Sequence, residues 1–226
     1  MIDTTRQSGI IPDELINNTT VAVVGVGAIG SHTAEAMTKM GVRKIRVFDD
    51  DTVEMHNLAN QGYFLPEIGY KKCEAIAKRL IEGTGAEIIA EDKRVEDGHK
   101  FDEVYVVSAV DNMASRKSIF ESFLMSTSSR YFIDGRMAAR FGQVFFVDKS
   151  NRESIEKYEA SLFSDEEAVA LPCTEKATVF CAYGLSSVIC SLLAKSIIGE
   201  AIRFDSAEID FADIFMNQVT SNNVAN

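Results

Sequence analysis

The sequence lacks the features that mark zinc-binding and secreted proteins. Its 226 residues include only four cysteines and no tryptophan, and no two of the cysteines form a CxxC pair. We therefore expect neither a zinc ribbon nor a thioredoxin motif, and no bound zinc. The first residues, MIDTTRQSGI, lack a basic region followed by an apolar stretch, so no secretory signal is predicted. A cytoplasmic protein with reduced thiols is the expectation.

Positive charge is scarce as well. Lysine and arginine together number 23 against 34 acids, a formal net charge of −11. A surface this acidic repels a phosphate backbone, and the sequence shows no basic patch. We therefore predict no nucleic-acid partner. Residues 177–194 carry no charge, but polar residues dilute the stretch and its apolar residues recur at helical spacing. This favours a helix buried in a soluble core over a membrane span, and we expect no membrane association.

A nucleotide-binding pattern stands near the start of the chain. Residues 21–30 read VAVVGVGAIG, a β-branched run that predicts a buried strand, followed directly by glycines. Gly25 suits a tight turn, Gly27 lets backbone amides approach a phosphate, and Gly30 allows close packing of the next helix. That helix is predicted over residues 31–40.

Three carboxylates follow the second predicted strand, residues 42–48. Asp49, Asp50 and Asp51 come about twenty residues after the glycines, at the strand end where open α/β sheets bind ligands. One of them can accept hydrogen bonds from ribose hydroxyls. The order of strand, glycine loop, helix, strand and acid predicts an α/β protein with a Rossmann-like, doubly wound mixed sheet and helices on both faces.

The rest of the chain fits one domain spanning residues 1–226. Helices are predicted over 70–83 and 115–125, and strands over 86–91, 103–110, 131–134, 143–148 and 202–211. With no helix between residues 131–134 and 143–148, we expect those two strands to pair as a hairpin or otherwise antiparallel. Residues 1–20 are interpreted as a polar lead-in, 150–175 as a mobile crossing loop and 217–226 as a frayed polar tail.

Two further residues bear on the chemistry. Lys72 opens a predicted helix, and Asp111 follows the fourth predicted strand. One possible function for this nucleotide-binding pattern is that of an NAD-dependent oxidoreductase, the first alternative considered. Such an enzyme needs neither Lys72 nor Asp111. Phosphoryl chemistry needs both, because a cation must neutralise triphosphate charge and a carboxylate must hold Mg²⁺.

At this point the chain resembles a known family, the ThiF, MoeB and HesA adenylyltransferases related to ubiquitin-activating enzymes. The matching segments are VVGVGAIGS, DDDTVEMHNLANQ, GYKKCE, SAVDN with Arg116 behind it, and PCTEKATVFCAYGLSSVICSLLAKSIIG. The resemblance implies an ATP-dependent adenylyltransferase. Such an enzyme activates the C-terminal carboxylate of a small ubiquitin-like or sulfur-carrier protein, or of a peptide, as an acyl adenylate and releases pyrophosphate.

The resemblance also assigns roles to residues. It implies that Asp49 binds the ribose, that Lys72 contacts phosphates and that Asp111 holds Mg²⁺. Arg6 stands where the family has an arginine that reaches the ATP of the neighbouring subunit, which implies a homodimer. The residues implied to line the nucleotide are Gly25, Gly27, Ala28, Ile29, Gly30, Asp49, Asp51, Asn57, Asn60, Gln61, Lys72, Asp111 and Asn112.

The chain departs from the family at one position of the nucleotide site. Asn60 stands where the family has an arginine, so a cation that stabilises the departing pyrophosphate is missing. Arg136, Arg140 or Lys71 are candidates to replace it. If none does, the chain is a catalytically weak, partner-binding subunit, the second alternative.

The cysteines leave a further question open. Cys173 matches the family's cysteine in the loop before the closing helix, so it is either a nucleophile toward the adenylate or a loop cysteine without a chemical role. The other three, Cys73, Cys181 and Cys190, stand on apolar helical faces and are predicted to be core residues.

Overall fold

The computed structural model describes residues 2–163 and 177–220. Eight strands form one mixed sheet in the order β3-β2-β1-β4-β5-β6-β7-β8. The strands are β1 Thr20–Val24, β2 Lys44–Phe48, β3 Glu87–Glu91, β4 Tyr105–Ser108, β5 Tyr131–Ala138, β6 Phe141–Asp148, β7 Ser206–Asp210 and β8 Phe215–Val219. The helices are α1 Asp13–Ile16, α2 Ala28–Met40, α3 Lys72–Thr84, α4 Met113–Met125, α5 Arg152–Ala160 and α6 Val179–Ile197, with 3₁₀ turns at Met55–Ala59 and Leu65–Glu67.

The sheet has a parallel half and an antiparallel half. Strands β1 to β5 pair in parallel, with β1 between β2 and β4. The remaining strands pair antiparallel, and β5 and β6 form the hairpin that the sequence predicts. The strand order reverses between β1 and β4, and in open α/β sheets a ligand crevice forms at such a point, beyond the carboxyl ends of the strands. The predicted α/β fold is confirmed.

Helices cover the sheet on both faces. One apolar cluster joins α2, α3 and α6 to the face that carries Val21, Val23 and Ile133. A second cluster joins α4 and α5 to the face that carries Val24 and Phe132. The central strands β1 and β4 are therefore buried on both sides, which explains why β1 reads as an unbroken apolar run rather than an alternating one.

Helix α6 lies in the apolar core on the sheet face that α2 and α3 also cover. Leu185, Ile189 and Leu193 are fully buried, and the helix packs along α2. By length and composition alone, α6 is also apolar enough to cross a membrane. The contacts with α2 and the sheet support the prediction of a core helix. Cys181 and Cys190 on α6, and Cys73 on α3, are buried as predicted.

Two predictions about irregular segments are wrong. Residues 152–160 form α5 rather than part of a loop, because the segment buries Tyr158 against the aromatic cluster of Phe120 and Phe132 and is capped by the Asn151 side chain. Residues 217–219 belong to β8 rather than to a frayed tail, since backbone pairing with β7 needs no apolar side chains. Residues 164–175 of the predicted loop and 221–226 of the predicted tail lie outside the described residues.

Candidate functional site

The glycine loop turns directly from β1 into α2. Gly25 has φ +83°, a left-handed conformation, and a Cβ there would lie 2.8 Å from the Ala109 carbonyl oxygen. A side chain at Gly30 would collide with the Gly25 backbone, whereas one at Gly27 would enter open space. The first and third glycines are thus required by packing, and the second leaves room for a ligand at the amino end of α2. Backbone N–H groups at a helix amino end favour an anion.

The side chains of Ser31 and Tyr63 connect this loop to the chain at residues 60–63. Ser31 Oγ donates to the Gly27 carbonyl oxygen (2.6 Å) and accepts from the Gly62 amide (2.8 Å). The buried Tyr63 hydroxyl donates to the Val26 carbonyl oxygen at 2.7 Å. The glycine loop and the chain at residues 60–63 therefore form one unit. Neither connection was predicted, because nothing in the local sequence shows that residues thirty positions apart meet.

Asp49 lies beside the loop. Its Oδ2 accepts from the Val26 amide (2.8 Å) and its Oδ1 from the Asp51 amide (2.9 Å). Burial raises the pKa of this carboxyl despite those two hydrogen bonds. Each carboxylate oxygen keeps a further lone pair, so Asp49 can still accept from a ribose hydroxyl, and its contact with ribose stays a prediction.

Lys72 and Asp51 form an ion pair at the same edge. Lys72 Nζ lies 2.8 Å from Asp51 Oδ2, with the lysine side chain 7% exposed and that of the aspartate 59%. The hydrogen bond from Lys72 lowers the pKa of Asp51. A buried ammonium held by a solvent-facing carboxylate can exchange that partner for a phosphate, because the aspartate is easily hydrated.

Three amide side chains predicted to line the nucleotide lie in or just after the 3₁₀ turn Met55–Ala59. Asn57 Oδ1 accepts from the Glu54 amide at 2.8 Å, so this side chain shapes its own segment. Asn60 Oδ1 and Gln61 Oε1, by contrast, are shielded from solvent without a hydrogen-bond partner among the described residues. Buried polar atoms are normally paired. Two orphaned amides at the positions predicted to face a nucleotide therefore fit a polar ligand.

Asp111 follows β4 on the other side of the glycine loop. Its carboxylate is exposed, and the side-chain contact the structure shows for it is with the Asn112 amide, at 3.2 Å. Asn112 itself caps α4 by accepting from the Ser115 amide. Mg²⁺ is commonly held by one or two carboxylates together with phosphate oxygens. An available carboxylate beside the loop matches that donor set, so Asp111 fits the predicted metal ligand.

Arg6 lies away from this site, and Lys71 and Arg136 are paired with other groups. Arg6 is exposed, and Gln7 beside it donates to the carbonyl oxygens of Lys39 and Met40 at the far end of α2, about 20 Å from the glycine loop at 1.5 Å per residue. Two of the proposed replacement cations are occupied: Lys71 contacts Asp92 and the Asp50 carbonyl, and Arg136 contacts Asp134. Cys173 lies outside the described residues.

Comparison with known proteins identifies the family. The ThiF family model matches residues 6–224, so the chain belongs to the ThiF family. It is similar to ubiquitin-like modifier-activating enzyme 5 of Drosophila willistoni, with 36% identity over 125 residues, 54% of this chain and 26% of that protein. The same enzyme of Culex quinquefasciatus is 46% identical over 77 residues, 33% of this chain and 19% of that protein. The chain thus spans about a quarter of the length of such relatives.

Solved structures show the same fold. PaaA superimposes with a TM-score of 0.72 at 14% identity, covering 97% of this chain and 78% of that chain. Escherichia coli MccB with ATP gives a TM-score of 0.71 at 14% identity, with 92% and 65% covered. Escherichia coli tRNA N6-threonylcarbamoyladenosine dehydratase in complex with AMP gives 0.63 at 17% identity, with 83% and 89% covered.

Proposed function

We propose that this ThiF-family chain binds Mg·ATP and adenylates the C-terminal carboxylate of a small ubiquitin-like or sulfur-carrier protein, or of a peptide. The observation that carries the proposal is the convergence of three groups at one sheet edge: the open space over Gly27, the buried Lys72 ammonium and the exposed Asp111 carboxylate. NAD binding would leave the last two without a task. Relatives named as modifier-activating enzymes, and a fold neighbour crystallised with ATP, support the same reading.

The reaction moves charge toward these groups. A carboxylate oxygen of the acceptor attacks the α-phosphorus, a new P–O bond forms, the bond to the oxygen bridging the α- and β-phosphorus breaks, and pyrophosphate leaves with that electron pair. Lys72 is placed to exchange Asp51 for a phosphate oxygen, and the amides at the start of α2 stabilise negative charge. Mg²⁺ held by Asp111 would offset charge on the phosphates. Asn60 adds a hydrogen-bonding amide but no charge.

Pyrophosphate exchange tests the proposal. The purified chain is incubated with Mg·ATP, labelled pyrophosphate and candidate acceptors that end in a free carboxylate, including ubiquitin-like proteins with two terminal glycines. We expect label to appear in ATP with the cognate acceptor. The same acceptor with a C-terminal carboxamide is the matched control, since it lacks the attacking oxygen. Exchange that is equal with the carboxamide would contradict acyl adenylation.

A second function, a partner-binding subunit with weak chemistry, is favoured by Asn60. The neutral amide replaces a cation, and Lys71 and Arg136 are already paired. Such a subunit would bind ATP without exchanging pyrophosphate with any acceptor. Asn60→Arg separates the two functions: a large gain in exchange indicates that the missing cation limits the chemistry, whereas absence of exchange in both forms, with acceptor binding intact, indicates the subunit role.

A further inference from the structure

A buried ionic cluster lies under the carboxyl ends of β4 and β5, and sequence reasoning missed it. Asp134 of β5 is completely buried. Its Oδ1 accepts from Arg116 Nε of α4 at 3.1 Å, and its Oδ2 accepts from Arg136 Nε at 2.7 Å and from the Tyr158 hydroxyl of α5 at 3.1 Å. The Arg136 guanidinium also stacks over the Phe145 ring at 4.2 Å. One carboxylate thus joins β5, α4 and α5.

Terminal nitrogens of both guanidiniums donate to further groups. An Arg116 terminal nitrogen donates to the Val110 carbonyl oxygen and, at 3.3 Å, to that of Gly135. The Arg136 terminal nitrogens donate to the Ser161 carbonyl oxygen and hydroxyl, each at 3.0 Å. Val110 immediately precedes Asp111, and Ser161 follows the last residue of α5. The cluster therefore contacts the loop that carries the proposed magnesium ligand.

Arg116 supplies one of the attachments of the loop after β4. Ala109 is held by its amide, which donates to the Val24 carbonyl oxygen at 2.9 Å, and Asn112 is held as the cap of α4. Between them, Val110 is tied by Arg116, whereas the Asp111 side chain is exposed. The position of the Asp111 carboxylate is thus set through its neighbours. Loss of the Arg116 contact would free Val110, next to Asp111, while the attachments at Ala109 and Asn112 remain.

We infer that Arg116, oriented by Asp134, is a positioning residue that holds the Val110–Asp111 loop in the geometry needed to bind magnesium with the nucleotide; this inference rests on the proposed function. A role in stability alone does not require ions here, since well-packed apolar residues serve that purpose at least as well as a buried ion pair. The forked guanidinium is what allows simultaneous contact with the Asp134 carboxylate and two carbonyl oxygens.

The first test uses Arg116→Lys, which keeps the charge but loses the fork. We expect the Mg²⁺ concentration that half-saturates ATP binding, measured by calorimetry, to rise about tenfold or more, the usual effect of removing support behind a metal ligand. Binding of ATP without magnesium stays unchanged. Arg46→Lys is the matched control, because the Arg46 guanidinium is also held by carboxylates, those of Glu91 (2.8 Å) and Glu103 (2.7 Å), but contacts no part of the loop.

The second readout does not need the nucleotide. Hydrogen exchange at the amides of residues 110–112 is expected to quicken in Arg116→Lys and to stay unchanged in Arg46→Lys. If Arg116→Lys fails to fold, Asp134→Asn, which keeps the side-chain shape, replaces it in both measurements. A folded variant with wild-type magnesium dependence and wild-type exchange would overturn the inference. If the wild-type chain binds no Mg·ATP, the proposed function fails and the exchange measurement alone decides whether Arg116 holds the loop.

Discussion

At the scale of single residues, the Lys72–Asp51 pair is the most direct link between structure and proposed chemistry. Exposed ion pairs contribute little to stability, and half of this pair is exposed. A buried Lys72 beside an exposed aspartate fits the proposed contact with phosphate. The nearby Lys78 lies on the same helix with its side chain in solvent, which provides a matched comparison.

Substitution of Lys72 by methionine keeps most of the buried length and removes the charge. We expect Lys72→Met to weaken Mg·ATP binding by about tenfold or more, since a charge-assisted contact to phosphate is lost. Lys78→Met should leave the affinity unchanged. Isothermal calorimetry on both variants measures this, and equal affinities for the two would show that Lys72 does not contact the phosphates.

Buried His32 makes stability sensitive to pH. Burial lowers the pKa of His32 from its ordinary 6.5. The unfolded chain then takes up a proton at a higher pH than the folded one, so stability is lost as the pH falls below about 6.5. We expect the Tm to drop between about pH 7.5 and pH 5.5, and to drop less in His32→Gln, which no longer titrates there.

The exposed His56 provides the control for that measurement, because its side chain is 75% exposed. His56→Gln should follow the wild-type profile of Tm against pH. The pKa of His99 is also lowered by burial, so part of the wild-type slope is expected to remain in His32→Gln. Identical slopes for His32→Gln and the wild type would contradict this account.

At the scale of elements, a glycine that the glycine loop requires can be compared with a helix glycine that tolerates a side chain. Gly25→Ala places a Cβ against the Ala109 carbonyl oxygen at a left-handed φ, and we expect a loss of about 1–3 kcal/mol in unfolding free energy. Gly83 lies in helix α3 with nothing near its missing Cβ, so Gly83→Ala should gain about 0.5–1 kcal/mol. Urea unfolding of both variants measures this, and a stable Gly25→Ala would refute the packing argument.

The sequence predicts those elements whose signals are local. The run after Thr20 and the glycines after Val24 indicate strand and loop because burial on both faces and positive φ each demand particular residues. Helix α5 was not predicted, since it is acidic and anchored mainly by Tyr158, whose contacts with Phe120 and Phe132 come from distant segments. Strand β8 was missed for a similar reason: its backbone is paired but its side chains are mostly exposed.

In the candidate site too, residues with local sequence signals can be predicted and residues that depend on distant contacts cannot. Asp49, Lys72 and Asp111 can be read from the sequence because each stands at a fixed distance from a strand or helix end. The supports behind them cannot, because Ser31, Tyr63 and Arg116 act through backbone groups that only the fold brings near. A residue that contacts a ligand carries a recognisable type, whereas one that holds a carbonyl oxygen does not.

At the scale of the whole molecule, the position of Arg6 gives a test of the homodimer. Arg6 lies at the far end of α2 from its own glycine loop, so it can serve a nucleotide site only across two subunits. We expect Arg6→Ala and Lys72→Met each to be inactive in pyrophosphate exchange. Mixing them should restore about a quarter of wild-type activity, because half of randomly mixed dimers contain one complete site.

Two results would speak against that arrangement. If the mixture stays inactive while size-exclusion chromatography shows mixed dimers, Arg6 does not act across the interface. If Arg6→Ala alone retains full exchange, the arginine has no part in the site. Restoration in the mixture but not in separately assayed samples identifies exchange of subunits as the cause.

Because three cysteines are buried, the reactivity of their thiols reports whether the core is closed. Burial raises the pKa of Cys73 and Cys181 to about 11 and that of Cys190 to about 12, so their thiolates are scarce and shielded from reagents at neutral pH. Brief alkylation of the native wild-type chain should therefore leave Cys73, Cys181 and Cys190 unmodified. Modification of these three thiols, detected by mass spectrometry, would show that the core opens.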